Sequence, residues 1–102
     1  MDDADRAVAE RRARVFKAMA HPTRVAILSA LERGSLNVSE LTAAVGGDIS
    51  TVSKHLAVLS ESGLVLGEAR GKRVYYALYC RCVPEFLRCV DEVLARDACP
   101  RP

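Results

Sequence analysis

Apolar side chains recur along this chain at helical spacing, except in one stretch where they crowd together. Over residues 4–20, Val8, Val15, Phe16 and Met19 fall near one face, with Arg6, Glu10, Arg11, Arg12 and Arg14 between them, which predicts an amphipathic helix. His21-Pro22 punctuates the pattern, and proline suits a first helical turn, so a second helix is expected from Pro22 to Glu32, ending at Gly34. Its Val25, Ile27, Leu28 and Leu31 cover a broad face. Asn37 followed by Glu40 reads as a capping box opening a short third helix that stops at Gly46-Gly47. Ser50 is expected to cap a fourth, running to Ser62, whose Val52, Leu56 and Leu59 form one apolar stripe. Leu64-Val65-Leu66 and Val74 to Tyr79 flank a turn-prone stretch, Glu68 to Lys72, and so predict a hairpin. Val83-Pro84 begins a last helix reaching Arg96, with Phe86, Leu87, Val90, Val93 and Leu94 on one side.

The expected fold is therefore mainly α with a β-hairpin: four helices, the hairpin, then a fifth helix. A helix pair joined by a glycine-bearing turn and trailed by a hairpin is the winged helix-turn-helix plan. With 102 residues the chain makes one domain, with the helix-turn-helix at 38–62, the wing at 64–79 and a C-terminal helix at 84–96. The apolar faces of 4–20 and 84–96 exceed what so small a domain can bury, which points to a homodimer. No stretch nears the roughly 20 apolar residues of a membrane span. Met1-Asp2-Asp3-Ala4-Asp5 is acidic with no apolar segment behind it, unlike a secretory signal, so a cytoplasmic protein is expected.

Net charge is only +2, so the placement of cations matters more than their number. The fourth helix carries Ser50, Thr51, Ser53, Lys54 and His55 in its first turns, opposite the stripe. In a helix-turn-helix these positions meet base edges and phosphates, although His55 could instead pack over the motif. Arg70-Gly71-Lys72-Arg73 puts three cations on the hairpin loop, where they can meet backbone phosphates; charge there also serves to protect a sheet edge.

In combination these segments resemble the ArsR/SmtB metalloregulators. Ala18 through Leu28 (AMAHPTRVAIL) is similar to that family's opening signature. Ser39-Glu40-Leu41, Ser50 through Leu56, Leu59 and Ser62-Gly63-Leu64-Val65 resemble its helix-turn-helix, and Arg70 through Tyr76 resembles its wing. The resemblance covers roughly residues 12–95. It implies a homodimer built on the first and last helices, binding a palindromic double-stranded operator and released by a ligand. It assigns DNA contacts to Ser50, Thr51, Ser53, Lys54, His55, Arg70, Lys72 and Arg73. Two familiar metal sites of the family do not carry over. The stretch matching its Cys-x-Cys arsenic motif, Asn37 to Glu40, has no thiol, and the last helix has no histidine for its zinc site.

Four cysteines lie at 80, 82, 89 and 99. Without a secretory signal they are expected to be reduced, which makes them metal ligands, a redox switch or buried packing. Cys80 and Cys82 flank Arg81 at a strand end, where both sulfurs could meet one soft ion. A helix through 82–89 would separate Cys82 from Cys89 by about 10.5 Å along its axis. Thiolates sharing an ion lie within about 4.6 Å of each other. Cys82 must then fold back over the helix start, or Cys89 must come from the partner subunit. Trigonal binding of trivalent arsenic or antimony by Cys80, Cys82 and Cys89 fits a thiol cluster without histidine. Cadmium, lead or mercury would use the same ligands, and a dithiol redox or persulfide switch is the other sensor. Cys99 reads as a tail thiol. Folding calls for no cofactor. The sequence has no phosphate loop, HExxH or nucleophile elbow, and both histidines sit in the DNA-reading half, so an enzyme is not expected. A constitutive DNA-binding protein with no ligand is the plainer alternative.

Overall fold

A computed structural model describes residues 1–96; Cys99 lies outside them. The elements follow in the order α1 (Asp3–Met19), α2 (Pro22–Ala30), a 3₁₀ turn (Leu31–Arg33), β1 (Leu36–Asn37), α3 (Val38–Val45), α4 (Ile49–Glu61), β2 (Val65–Arg70), β3 (Arg73–Leu78) and α5 (Val83–Arg96). No helix among the described residues is long and apolar enough to cross a membrane.

Local chemistry sets most of these boundaries. The Asp2 carboxylate accepts the Asp5 amide at 2.8 Å, and Asp3 and Asp5 complement the positive end of α1. At α2 the cap is His21, whose Nδ1 accepts the Thr23 amide at 3.1 Å, with Pro22 in the first turn. The second helix closes at Ala30 rather than Glu32, because the chain tightens into the 3₁₀ turn before Gly34. The α3 capping box is present in both directions: Glu40 N–H donates to Asn37 Oδ1 at 2.9 Å and Asn37 N–H to Glu40 Oε1 at 3.0 Å.

Three further expectations need correction. Asp48, not Ser50, caps α4, and Ser50 lies inside the first turn. The wing turn has two residues, not five; Arg70 and Arg73 are the last strand pair, and Gly71 takes φ +64° as a tight hairpin with glycine at its first central position requires. A third strand was not expected: β1 pairs antiparallel with β3, Leu36 against Tyr76 and Asn37 against Tyr75, giving the sheet order β1-β3-β2. Asn37 thus ends a strand and caps the next helix, which ties the wing to the helix-turn-helix.

One core joins these parts. Ile27, Leu28, Leu41, Val52, Leu56, Leu59 and Val65 are fully buried, drawn from α2, α3, α4 and β2, so the predicted α4 stripe faces inward. Tyr76 packs on this core from β3, and its ring crosses Gly67 on β2, where a side-chain Cβ would lie 2.9 Å away. From α5 only Val83 is buried, with Phe86 and Leu87 partly so. Val8, Val15 and Phe16 of α1 and Val90, Val93 and Leu94 of α5 stay exposed. The two helices meet through Phe16 and Phe86, whose ring centroids lie 5.7 Å apart.

Candidate DNA interface and thiol site

Burial of Val52, Leu56 and Leu59 fixes the rotation of α4, and so decides which polar residues it shows. Ser50, Thr51, Ser53 and Lys54 are exposed. The Asp48 carboxylate divides this set. Ser50 Oγ donates to it at 2.6 Å, the Thr51 amide at 2.9 Å and Thr51 Oγ1 at 3.1 Å. These donors, led by the Ser50 hydroxyl, lower the Asp48 pKa to about 2, so the cap stays charged at any physiological pH. With both hydroxyl protons engaged, Ser50 and Thr51 can only accept hydrogen bonds from a ligand. Ser53 and Lys54 have no such partner among the described residues.

His55 stands apart from them. It is half-buried, and its Nδ1 accepts the Arg24 Nε–H at 3.1 Å. Its ring lies against His21, with centroids 4.4 Å apart. Burial first, then the charges of His21 and Arg24, push its pKa below the usual imidazole range. The structure therefore packs His55 over the motif, the second of the two possibilities the sequence left open.

On the wing, Lys72 and Arg73 are exposed and line a cleft of about 210 Å³ with Asn37, Val38, Ser39 and Val74. The tip thus stands beside the first turn of α3. Arg70 is partly committed: its Nη2 lies 3.9 Å from Glu68 Oε2 and its guanidinium 5.0 Å over the Tyr75 ring. An ion pair this exposed adds little stability, but it neutralises part of the charge that Arg70 could offer a phosphate.

The thiols end the wing. Tyr79 N–H donates to Leu64 O at 3.0 Å, and the chain then turns through Cys80, Arg81 and Cys82 directly into α5. Cys80 and Cys82 are joined as a disulfide with Cα atoms 5.4 Å apart, so the expectation of reduced thiols is corrected for this pair. Cys80 is half-buried and Cys82 exposed. Cys89 is a free, exposed thiol on α5. Because α5 begins at Val83, no fold-back carries Cys82 toward Cys89. No three His, Cys, Asp or Glu residues group to hold a metal ion among the described residues, so a three-thiol site within one subunit is not formed.

Sequence reasoning missed Asp48 and Arg24. An aspartate immediately before a helix was a readable cap signal. Arg24 carried no local sign of its partner, 31 residues away.

The fold has counterparts among known proteins. Residues 19–68 match the model of a helix-turn-helix domain family. The arsenical resistance operon repressor of Escherichia coli is 35% identical over 100 residues, covering 83% of this chain and 86% of that protein. The chain belongs to the ArsR/SmtB family. Another relative is the transcriptional regulator NmtR of Mycobacterium tuberculosis, 40% identical over 75 residues, which are 74% of this chain and 62% of that regulator. Among solved structures, the homodimeric winged helix-turn-helix DNA-binding domain of Mb0332 from Mycobacterium bovis, a possible ArsR-family regulator, superposes with a TM-score of 0.82. It is 31% identical, with 95% of this chain and 90% of that one covered. This ArsR/SmtB chain is a winged helix-turn-helix transcriptional regulator. Its relatives are regulators rather than enzymes, in keeping with the non-enzymatic reading.

Proposed function

We propose that this ArsR/SmtB protein is a homodimeric repressor of a palindromic operator, released when an effector engages the Cys80/Cys82 pair. Residues 38–62 read the DNA, 64–79 anchor it, and the helix at 84–96 pairs with its symmetry mate and α1. Ser53 and Lys54 reach the bases. Ser50 and Thr51 shape the helix entry, and Arg70, Lys72 and Arg73 hold backbone phosphates. Support for the dimer comes from the apolar residues left exposed on α1 and α5 and from the homodimeric Mb0332 domain.

The observation carrying the effector site is the placement of Cys80 and Cys82 within bonding reach of each other, at the joint between the wing strand and α5. An effector bound there acts on both the DNA-anchoring hairpin and the dimer helix. Trivalent arsenic or antimony would take these two thiolates, with Cys89 of the partner subunit as third ligand. The arsenical repressor relative supports that chemistry. The disulfide itself favours a second reading, reversible oxidation. There the two thiols lose two protons and two electrons to a persulfide or hydroperoxide and become the disulfide.

A ligand acts only through its different affinities for the DNA-competent and DNA-incompetent forms. Hundredfold release corresponds to a coupling of about 2.7 kcal/mol. The test is operator release by reduced protein, followed by fluorescence anisotropy against arsenite, antimonite, cadmium, zinc and a persulfide donor. Cys80→Ser and Cys82→Ser should bind operator yet resist release. Cys89→Ser should blunt release by arsenite and spare release by the persulfide. Normal arsenite and persulfide release from the Cys80/Cys82 double variant would overturn the site, and a wild type released by none of the five would be a constitutive DNA-binding protein.

A further inference from the structure

The end of α1 and the start of α2 meet the middle of α4 at one basic node. Ala18, in the last turn of α1, offers its carbonyl to Arg24 Nη1 at 3.3 Å. Arg24, in the first turn of α2, turns its Nε–H to His55 Nδ1 on α4 at 3.1 Å. His21, capping α2, lies against the His55 ring. Last-turn carbonyls of a helix have no intrahelical donor, so the Ala18 bond answers a need of α1 as well as tying it to α4.

Arginine has only donors and stays charged at any physiological pH. The Arg24–His55 bond therefore exists only while His55 Nδ1 carries a free lone pair, which places the ring proton on Nε2. A second proton would set N–H against N–H and add a positive charge beside a guanidinium. Little negative charge is at hand to offset it. From α1 the groove beside Arg24 receives Arg14 and Lys17, and from α4 itself Glu61, at the far end of the helix. The one ionisable side chain of α3, Glu40, is held in its capping box, and Glu68 of β2 faces Arg70.

We propose that Arg24 and His55 are a positioning pair that holds α4 in its DNA-reading pose only while His55 is uncharged. The inference rests on the reading of α4 as the recognition helix, and adds a proton as a second signal that releases the operator. His55 is depressed by burial, with His21 and Arg24 adding to the effect. Between that lowered pKa and the unfolded value near about 6.5 the unfolded chain binds more protons, so the node is fully present above about pH 6.5 and lost as pH falls through the folded value. This is opposite in sign to the ordinary effect of acid on DNA binding, since added positive charge strengthens phosphate contacts.

The experiment compares binding to a duplex selected by the protein from a random pool with binding to unselected duplex, at about pH 7.5 and about pH 5.5. Selected-site affinity of the wild type should fall between these two pH values by at most about tenfold per subunit, the limit set by one proton binding an undocked imidazole near about 6.5, while unselected DNA is bound as well or better. His55→Gln keeps an acceptor for Arg24 that cannot titrate, so the ratio of its selected-site affinities at the two pH values should lose the acid effect. His21→Asn keeps the α2 cap and should retain the acid effect. Nitrogen-15 NMR of the wild-type imidazole supplies a readout independent of DNA: Nδ1 should be unprotonated at the higher pH and titrate together with loss of selectivity. Selectivity insensitive to pH, or an unchanged acid effect in His55→Gln, would overturn the pair. No selectivity even at the higher pH would sink the assignment of α4 as well.

Discussion

Removing the two free wing cations should change how DNA binding depends on salt more than it changes the protein. Lys72 and Arg73 are exposed at the hairpin tip. Replacing both with alanine should leave stability within about 0.5 kcal/mol, as exposed substitutions do. A dimer would lose four cations. Each phosphate contact contributes about −0.9 to the slope of log K against log salt, so four lost contacts flatten it by about 3.6 and weaken binding at about 0.15 M salt by at most about a thousandfold. The loss should be equal for selected and random duplexes, because phosphates carry no sequence. Arg70→Ala should do less than Lys72→Ala or Arg73→Ala, since Glu68 at 3.9 Å already offsets part of the Arg70 charge. Anisotropy titrations across a salt series measure both slope and affinity. A double variant with the wild-type slope would show that Lys72 and Arg73 do not hold phosphates, and so would a loss confined to the selected sequence.

The shared role of Asn37 makes it the most sensitive polar position in the fold. Asn37→Ala removes the acceptor for the Glu40 amide and should cost about 1–2 kcal/mol. In a domain this size that lowers the melting midpoint by roughly 4–16 °C. Asn37→Asp keeps the cap and should melt within a few degrees of wild type, and equal melting of the two variants would refute the capping role. Val93→Asp with Leu94→Asp, placed on the exposed face of α5, should give a folded monomer at micromolar concentration. Operator affinity should be lost, because a twofold dimer sets its recognition helices about 34 Å apart. Sedimentation showing an intact dimer would rule out this interface.

How legible the fold was depended on the range of the interaction that made each element. Asn37 with Glu40, and Val52 with Leu56 and Leu59, announce themselves within one or two helical turns, and α3 and α4 form as that spacing requires. Strand β1 could not be read, because two residues hold no period and its pairing partner lies some forty positions away. The α4 boundary was misplaced because Ser50 and Asp48 are both good caps, and only geometry shows the Asp48 carboxylate taking the Thr51 amide. The polar face of α4 was legible as a set. Its division into Ser50 and Thr51 tied to Asp48, His55 tied to Arg24, and Ser53 with Lys54 free came only with tertiary structure. At the thiols the helical rise left only a fold-back of Cys82 or a Cys89 from the partner subunit, and the start of α5 at Val83 decides between them. Pairing of Cys80 with Cys82 is a matter of oxidation state, which residue order does not encode.

Whether α4 reads sequence while the wing only anchors comes down to one ratio. It is the affinity for a duplex selected by the wild-type protein divided by the affinity for random duplex, measured for Ser53→Ala and Lys54→Ala at fixed salt. Each good base contact is worth about 1–3 kcal/mol of discrimination. The ratio should fall at least about fivefold in each variant, with random-duplex affinity nearly kept in Ser53→Ala. A ratio unchanged from wild type in both variants would contradict sequence reading by α4.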